Sequence, residues 1–343
     1  MNARCSKLIV SAVLIVVLAL ALVPLAGAQK GPQPLKVTLT PYENNPILTP
    51  DLDSAWEAGG VGRVRVIPYD GLLYMFYHGY SSGLAAGKVG YATSADGVNW
   101  TKFEGNPIFV PDEVIAPNGV TNYSIVLNDD IWLLYFSPWP AGKAWSDFSG
   151  DILVATAPSP GGPWTVAEEP ALPESASPTD WDWGGRAFYS ITFSPDGGVL
   201  FFNAARTMKA GRATSSDGLH WTKYDDPATI STLYKNSDPI FEAAPGAWDS
   251  LYVSQSVVRP TKDGWEMFYA GGSGRDSMIG YATSPDGIKW TRLGESPLLA
   301  DPTHKLLFPE AIAEMNGTHY LYYAVVSQAF IPEGIAVAEI TYQ

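Results

Sequence analysis

Three carboxylates and a handful of polar side chains are the residues of this chain best suited to chemistry. Glu310 lies in Phe308-Pro309-Glu310-Ala311-Ile312, inside an apolar strand opening. A carboxyl buried in such a place rarely goes unpaired, and surroundings that shift its pKa suit a proton donor. Asp53, ahead of the first repeated unit, is the candidate partner. Asp182 is the third, in Trp181-Asp182-Trp183-Gly184-Gly185-Arg186, whose doubled tryptophan is peculiar to its unit. Arg63, Phe188 and Gln255 each stand seven residues beyond a recurrent tryptophan, and alignment on Tyr135-Phe136 adds Asn122 to the same column. This column varies from unit to unit, as recognising groups do, and none of its four members is an acid. Arg63 either meets a carboxylate or hydroxyl of a ligand or pairs with a neighbouring acid. His304, six residues before Glu310, and His78 are further groups for a hydroxyl or a metal. No set of side chains has metal-ligand spacing, so no metal and no cofactor is expected.

The elements that position these residues are repeats. Gly90-Tyr91-Ala92-Thr93-Ser94-Ala95-Asp96-Gly97-Val98-Asn99-Trp100-Thr101-Lys102 returns at 211–223 and at 280–292 with the same Ala-Thr-Ser-x-Asp-Gly-x-x-Trp-Thr-Lys/Arg core. Alternating small and apolar residues make a strand, Asp-Gly makes a tight turn needing a positive φ, and the tryptophan plugs the next strand. Each copy is thus a hairpin. Asp96, Asp217 and Asp286 recur with it and read as turn formers. A second element begins at Trp56-Glu57, Trp181-Asp182 and Trp248-Asp249. An aromatic pair follows 20 residues after each tryptophan: Phe76-Tyr77, Phe201-Phe202 and Phe268-Tyr269. These recurrent acids read as turn carboxylates that accept backbone N–H groups.

Two strands, then a hairpin with two more, give a four-stranded antiparallel unit, the blade of a propeller. Two degenerate units, at 122–165 and 308–340, bring the count to five. Asn45-Pro46-Ile47-Leu48 matches Asn106-Pro107-Ile108-Phe109 and Ser296-Pro297-Leu298-Leu299, which close their units, yet it follows no hairpin. The N-terminal strand is therefore expected to complete the last unit, closing the ring without a free edge. The fold predicted is all-β, one five-bladed propeller over 29–343, with the variable column on the strands lining its central funnel.

Residues 1–28 read as a signal peptide. Arg4 and Lys7 precede an apolar run from Leu8 to Val23, and Ala26-Gly27-Ala28 forms the small-residue cleavage site. An uncleaved anchor is the rival reading, since the run approaches the length needed to span a bilayer. Cleavage would remove Cys5, the chain's one cysteine, and with it any disulfide or thiolate chemistry. It would also take the formal charge from −14 to about −16, which excludes nucleic acid as a partner. A secreted or cell-surface monomer, free of the membrane after cleavage, is the expectation. Its 33 glycines and 28 prolines fit short strands better than long helices.

The Asn-Pro-Ile, Trp-Glu/Asp, Tyr-Met-Phe-Tyr and Gly-Tyr-Ala-Thr-Ser-x-Asp-Gly-x-x-Trp elements resemble the five-bladed β-propeller glycosidase superfamily of arabinanases, xylosidases, invertases, levansucrases and mannoside phosphorylases. The resemblance covers nearly all of the mature chain and is carried by structural motifs. It implies carboxylates near the starts of the innermost strands, one a base or nucleophile and one a proton donor. For glycosidases such pairs lie roughly 5 to 9.5 Å apart. The function it implies is an exported glycoside hydrolase acting on a glycan by two-carboxylate chemistry. The absence of an acid from the variable column departs from that pattern. The alternative is a non-catalytic propeller that binds carbohydrate or protein through Arg63, Asn122, Phe188 and Gln255. A sialidase relative, prompted by the Ser-x-Asp-Gly-x-x-Trp hairpins, would need Arg63, Arg186 and Arg259 to converge.

Overall fold

The computed structural model describes residues 36–81, 87–139, 150–303 and 305–343. The expected signal peptide, Cys5 and His304 lie outside them. Strand β1 (Val37–Pro41) stands alone at the start. β2 (Gly60–Tyr69), β3 (Leu72–Tyr80), β4 (Lys88–Ser94) and β5 (Thr101–Lys102) form blade 1. Blade 2 is β6 (Val120–Asn128), β7 (Ile131–Pro138), β8 (Leu153–Ala157) and β9 (Thr165–Val166). Blade 3 is β10 (Arg186–Ser194), β11 (Gly197–Ala204), β12 (Ala210–Ser215) and β13 (Thr222–Lys223). Blade 4 is β14 (Tyr252–Thr261), β15 (Gly264–Gly272), β16 (Met278–Ser284) and β17 (Thr291–Arg292). β18 (Leu306–Met315), β19 (Thr318–Val326) and β20 (Pro332–Tyr342) make three strands of blade 5. β1 supplies the fourth, antiparallel to β20 with Val37 opposite Tyr342. This is the five-bladed propeller the repeats predict, closed as the early Asn-Pro-Ile copy predicts.

The repeated hairpin folds for the reasons its sequence gives. Gly97, Gly218 and Gly287 take φ of +84°, +76° and +73°, a region open to glycine at no steric cost. Before each, an aspartate caps the turn: Asp96 Oδ1 accepts from Val98 and Asn99, Asp217 Oδ1 from Leu219 and His220, and Asp286 Oδ1 from Ile288 and Lys289. Hydrogen bonds from the Asn99 side chain and backbone hold the Asp96 carboxyl far below its usual range.

The second recurrent tryptophan is a wedge within its own blade. Trp56 packs on Tyr77 with ring centroids 5.4 Å apart, Trp181 on Phe202 at 5.9 Å and Trp248 on Tyr269 at 5.7 Å. Gly90, Gly211 and Gly280 pair with those three aromatics and leave room for the indoles. A Cβ at any of them would stand 2.6, 2.8 or 2.5 Å from an indole carbon.

The acid after each tryptophan has a different partner from the one expected. Glu57 Oε1 does accept the Asp51 amide, but it also lies 2.6 Å from Lys102 Nζ. Asp182 lies 3.0 Å from Lys223 Nζ, and Asp249 lies 2.7 Å from Arg292 Nε. The basic residue that follows each Trp-Thr pair thus returns to the start of its own blade, tying the outermost strand to the approach of the innermost.

Five buried apolar clusters fill the five seams. Leu133, Tyr135, Leu200 and Phe202 pack blade 2 on blade 3, and Phe268, Tyr281, Leu321 and Ala338 pack blade 4 on blade 5. The tryptophans outside the repeat divide: Trp132 is core, packed on Tyr69 and Phe76, whereas Trp183 lies half-buried under the Arg206 guanidinium.

Candidate functional site at the hub

The innermost strands β2, β6, β10, β14 and β18 ring the axis, each packed against its neighbours. In every one the pairing register slips within about two residues of the same level: between Gly62 and Arg65, Val120 and Asn122, Ala187 and Ser190, Ser254 and Ser256, and Pro309 and Ala311. A bulge redirects a side chain and bends its strand. At three of these bulges the odd residue is a non-glycine with positive φ: Arg63 at +54°, Phe188 at +58° and Gln255 at +21°. Such conformations cost on the order of 1 kcal/mol each and persist where their surroundings over-determine them.

These residues meet across the axis. Arg63 Nη1 of blade 1 donates to Gln255 Oε1 of blade 4 at 2.8 Å, and its guanidinium lies 4.4 Å from the centroid of Phe188 in blade 3. Asn122, 1% exposed, has no hydrogen-bond partner for either side-chain atom, and Gln255 Nε2, His78 Nε2 and the Tyr123 hydroxyl are likewise unpaired. The His78 ring packs at a tilt on Tyr123, centroids 4.8 Å apart, and its Nδ1 lies 3.4 Å from the Tyr80 hydroxyl. Burial, with Arg63 and Arg65 nearby, pushes its pKa down to about 3, so the ring is neutral.

Glu310 occupies the bulge of β18 and is 2% exposed. Burial pushes its carboxyl up, and the pull of Arg63, Arg65 and Gln255 in the other direction does not cancel that. Arg65 Nη1 stands 3.5 Å from Glu310 Oε2, an ion contact that leaves this oxygen without a hydrogen bond. Among the five innermost strands the only other acid is Glu314, exposed near the far end of β18 beside His319.

Arg65 is the hub residue that sequence reasoning missed. Its Nη1 donates to the carbonyls of Val64 (2.7 Å) and Glu310 (2.8 Å), its Nε to Ser124 Oγ (3.2 Å) and the Tyr189 carbonyl (3.1 Å), and its Nη2 to the same Tyr189 carbonyl (2.5 Å). One guanidinium therefore binds blades 1, 2, 3 and 5. Below it, Arg65, Glu310, Ser124 and Ser190 line a cavity of about 290 Å³ whose remaining walls include Ile125 and Val257. Arg63, Asn122, Phe188 and Gln255 do not line that cavity; they lie toward the starts of the inner strands.

The structure does not bring the other two expected carboxylates into this group. Asp53 is exposed in the turn before blade 1, where its amide donates to Asp51 Oδ1. Asp182, fully buried, binds Arg186 Nε and Nη2, Lys223 Nζ and Ser175 Oγ. Burial alone would raise its pKa, but Arg186 and Lys223 outweigh it and hold the carboxyl low. Arg63, Arg186 and Arg259 sit in three separate networks, the last with Glu266 and Tyr342. Among the described residues no group of three or more His, Cys, Asp or Glu side chains is placed to hold a metal, and no helix is long and apolar enough to cross a membrane.

No protein-family model matches the sequence, and no curated protein does. Solved structures do match. A glycosyl hydrolase from Bacteroides ovatus is 18% identical with a TM-score of 0.67, over 88% of this chain and 92% of its own. A β-1,2-mannobiose phosphorylase from Listeria innocua, bound to β-1,2-mannobiose, is 14% identical with a TM-score of 0.61, over 88% and 96%. A glycoside hydrolase from the mannoside phosphorylase family that targets β-1,2 mannosidic linkages in Candida mannan is 18% identical with a TM-score of 0.66, over 88% and 93%. At these identities the likeness establishes a shared five-bladed fold over nearly the whole propeller.

Proposed function

We propose that the protein is an exported, glycan-active propeller of the glycoside hydrolase type, with Glu310 as its proton donor and Arg63, Asn122, Phe188 and Gln255 as the groups that hold the sugar. The observation that carries this reading is Glu310 itself. It is a buried carboxyl with a raised pKa, standing on the innermost strand at the level where the blades converge. A general acid must hold its proton at working pH, and burial is the means of keeping it there. The unpaired amide of Asn122 and the free Nε2 of Gln255 suit hydroxyls, and the Phe188 face suits the apolar side of a sugar ring. Asp53, the partner carboxylate expected from the sequence, stands exposed in the turn before blade 1, and Asp182 is already saturated by two cations, so Glu310 is the one carboxylate this reading places at the hub. The neighbours of like fold act on glycans by their descriptions, which supports the substrate class. The start of the sequence, with its basic residues, apolar run and Ala-x-Ala ending, supports export.

One observation favours a second reading, in which the hub binds a glycan without cleaving it. The innermost strands bring a single acid to the axis, opposite two guanidinium groups, whereas hydrolysis by carboxylate pairs needs two. A panel of aryl glycosides and polysaccharides separates the two. Under the first reading the secreted form turns over at least one substrate, and Glu310→Gln lowers kcat by about 10²–10⁴-fold. Under the second, nothing is turned over, while saturable binding survives Glu310→Gln and is lost in Arg63→Ala. Turnover that Glu310→Gln leaves intact would refute the assignment of the donor.

A further inference from the structure

The charges at the hub do not balance. Arg186, Arg259 and Arg292, which serve the blades, each meet a carboxylate directly. At the bulges the innermost strands bring two guanidinium groups, Arg63 and Arg65, to a single carboxyl, Glu310. Arg65 stands 3.5 Å from that carboxyl, while Arg63 has no ion pair among the described residues. A cation drawn this far from water ordinarily has an anion beside it.

Arg63 is also held as a recognising group would be. Its Nη1 donates to Gln255 Oε1 at 2.8 Å, its guanidinium lies 4.4 Å from the Phe188 centroid, and the Tyr80 hydroxyl is close by. These contacts fix the plane of the fork, yet a guanidinium has five donors, so an edge of it is left over. The backbone keeps a φ of +54° to aim it. Arg63 and Phe188 are partly exposed, so a ligand can reach them. The other unmet groups at this level are neutral. Both amide atoms of Asn122, Gln255 Nε2, His78 Nε2 and the Tyr123 hydroxyl are buried without partners, and burial keeps His78 and Tyr123 uncharged.

We propose that the ligand of the hub is an acidic sugar, a pyranosiduronate whose ring carboxylate is bound by Arg63 and whose hydroxyls meet Asn122 and Gln255. This names the substrate class of the glycan site proposed above and rests on that reading. One surplus cation matches the single charge of a carboxylate, whose two oxygens fit one edge of a guanidinium. Phosphate, with about two charges near neutral pH, asks for more cation than Arg63 offers. Neutral donors and acceptors around the cation suit the hydroxyls that the same ring carries.

The test compares matched pairs on the secreted chain: the methyl glycosides of glucuronate and glucose, galacturonate and galactose, mannuronate and mannose. Isothermal titration and saturation-transfer NMR read the binding, with melting temperature as the control for folding. The acid of at least one pair should bind about 10- to 100-fold tighter than its neutral counterpart. Arg63→Gln, which keeps an amide donor and removes the charge, should bring that pair to within about threefold of each other. Arg63→Lys, which keeps the charge and loses the fork, should retain a preference of only severalfold. Equal binding within every pair, or a preference that Arg63→Gln leaves intact, overturns this inference and leaves the hub to neutral glycans. Displacement of the uronate by an equal concentration of inorganic phosphate or sulfate also overturns it, since the guanidinium would then take a bare anion. Binding of no sugar by roughly 50 mM overturns the glycan reading of the hub, and this inference falls with it.

Discussion

Replacing Arg65 by methionine keeps the length of the side chain and removes all of its donors. Five hydrogen bonds to four acceptors disappear: the carbonyls of Val64, Glu310 and Tyr189 and the hydroxyl of Ser124. The Glu310 carboxyl also loses the cation 3.5 Å away. Hydrogen bonds to a charged group are worth about 1.5–3 kcal/mol each, but they are not additive here. Water entering from the adjoining 290 Å³ cavity would satisfy some of the freed carbonyls. Each buried acceptor left without a donor costs about 1–3 kcal/mol, and with some of them rehydrated about 4 kcal/mol is the expected loss. That is a large part of a typical stability of about 5–15 kcal/mol. At roughly 2–4 °C per kcal/mol for a chain somewhat shorter than this one, the melting temperature should fall by about 10 °C. Urea denaturation followed by tryptophan fluorescence, with calorimetry alongside, measures both. Arg65→Lys should recover only part of the loss, since one ammonium cannot reach acceptors in four blades. A cost below about 1 kcal/mol for Arg65→Met would refute the view that this guanidinium pins the hub, because so small a loss is that of an exposed pair.

Three further outcomes follow from the geometry. The Glu310 carboxyl is raised in the folded state, so the stability it contributes is complete below the unfolded carboxylate pKa of about 4.3 and is lost as pH rises through the folded value. Glu310→Gln should therefore gain in melting temperature relative to the parent between pH 4 and pH 8, and a flat or reversed difference would refute the raised pKa. Asp249→Ala strips Arg292 of a fully buried partner and should cost about 3 kcal/mol in denaturant titration; a cost near zero would show that the recurrent acid–base tie is ornamental to blade 4. Gly90→Ala should cost about 1–3 kcal/mol by crowding Trp56, and the penalty should shrink in a Trp56→Ala background; equal penalties in both would show that the indole is not what excludes the methyl group.

The blades were legible in the sequence because their turns are chemical as well as periodic. Asp-Gly demands one backbone geometry wherever it recurs, and an unmatched Asn45-Pro46-Ile47 could belong only to a unit begun elsewhere. The hub was legible in part. Counting from the tryptophans found Arg63, Phe188 and Gln255, since these break a pattern. It passed over Arg65, two residues farther along the same strand and on the same face, because its counterparts Ser124, Ser190 and Val257 look like ordinary strand alternation. The role of Glu57, Asp182 and Asp249 was open to the same reasoning. The blades with the acid are the blades with Lys102, Lys223 or Arg292 after the Trp-Thr pair, and the blades lacking one lack the other.

The pairing of β1 with β20 sets an order on assembly. Blades 1 to 4 are each made of consecutive residues and can form as soon as they emerge, but the fifth needs the first strand held in reserve until the last has been delivered. Until then the wheel is a broken circle whose two rims offer unsatisfied backbone to any passing strand. Correct folding therefore depends on the two ends of one chain finding each other before either meets another copy.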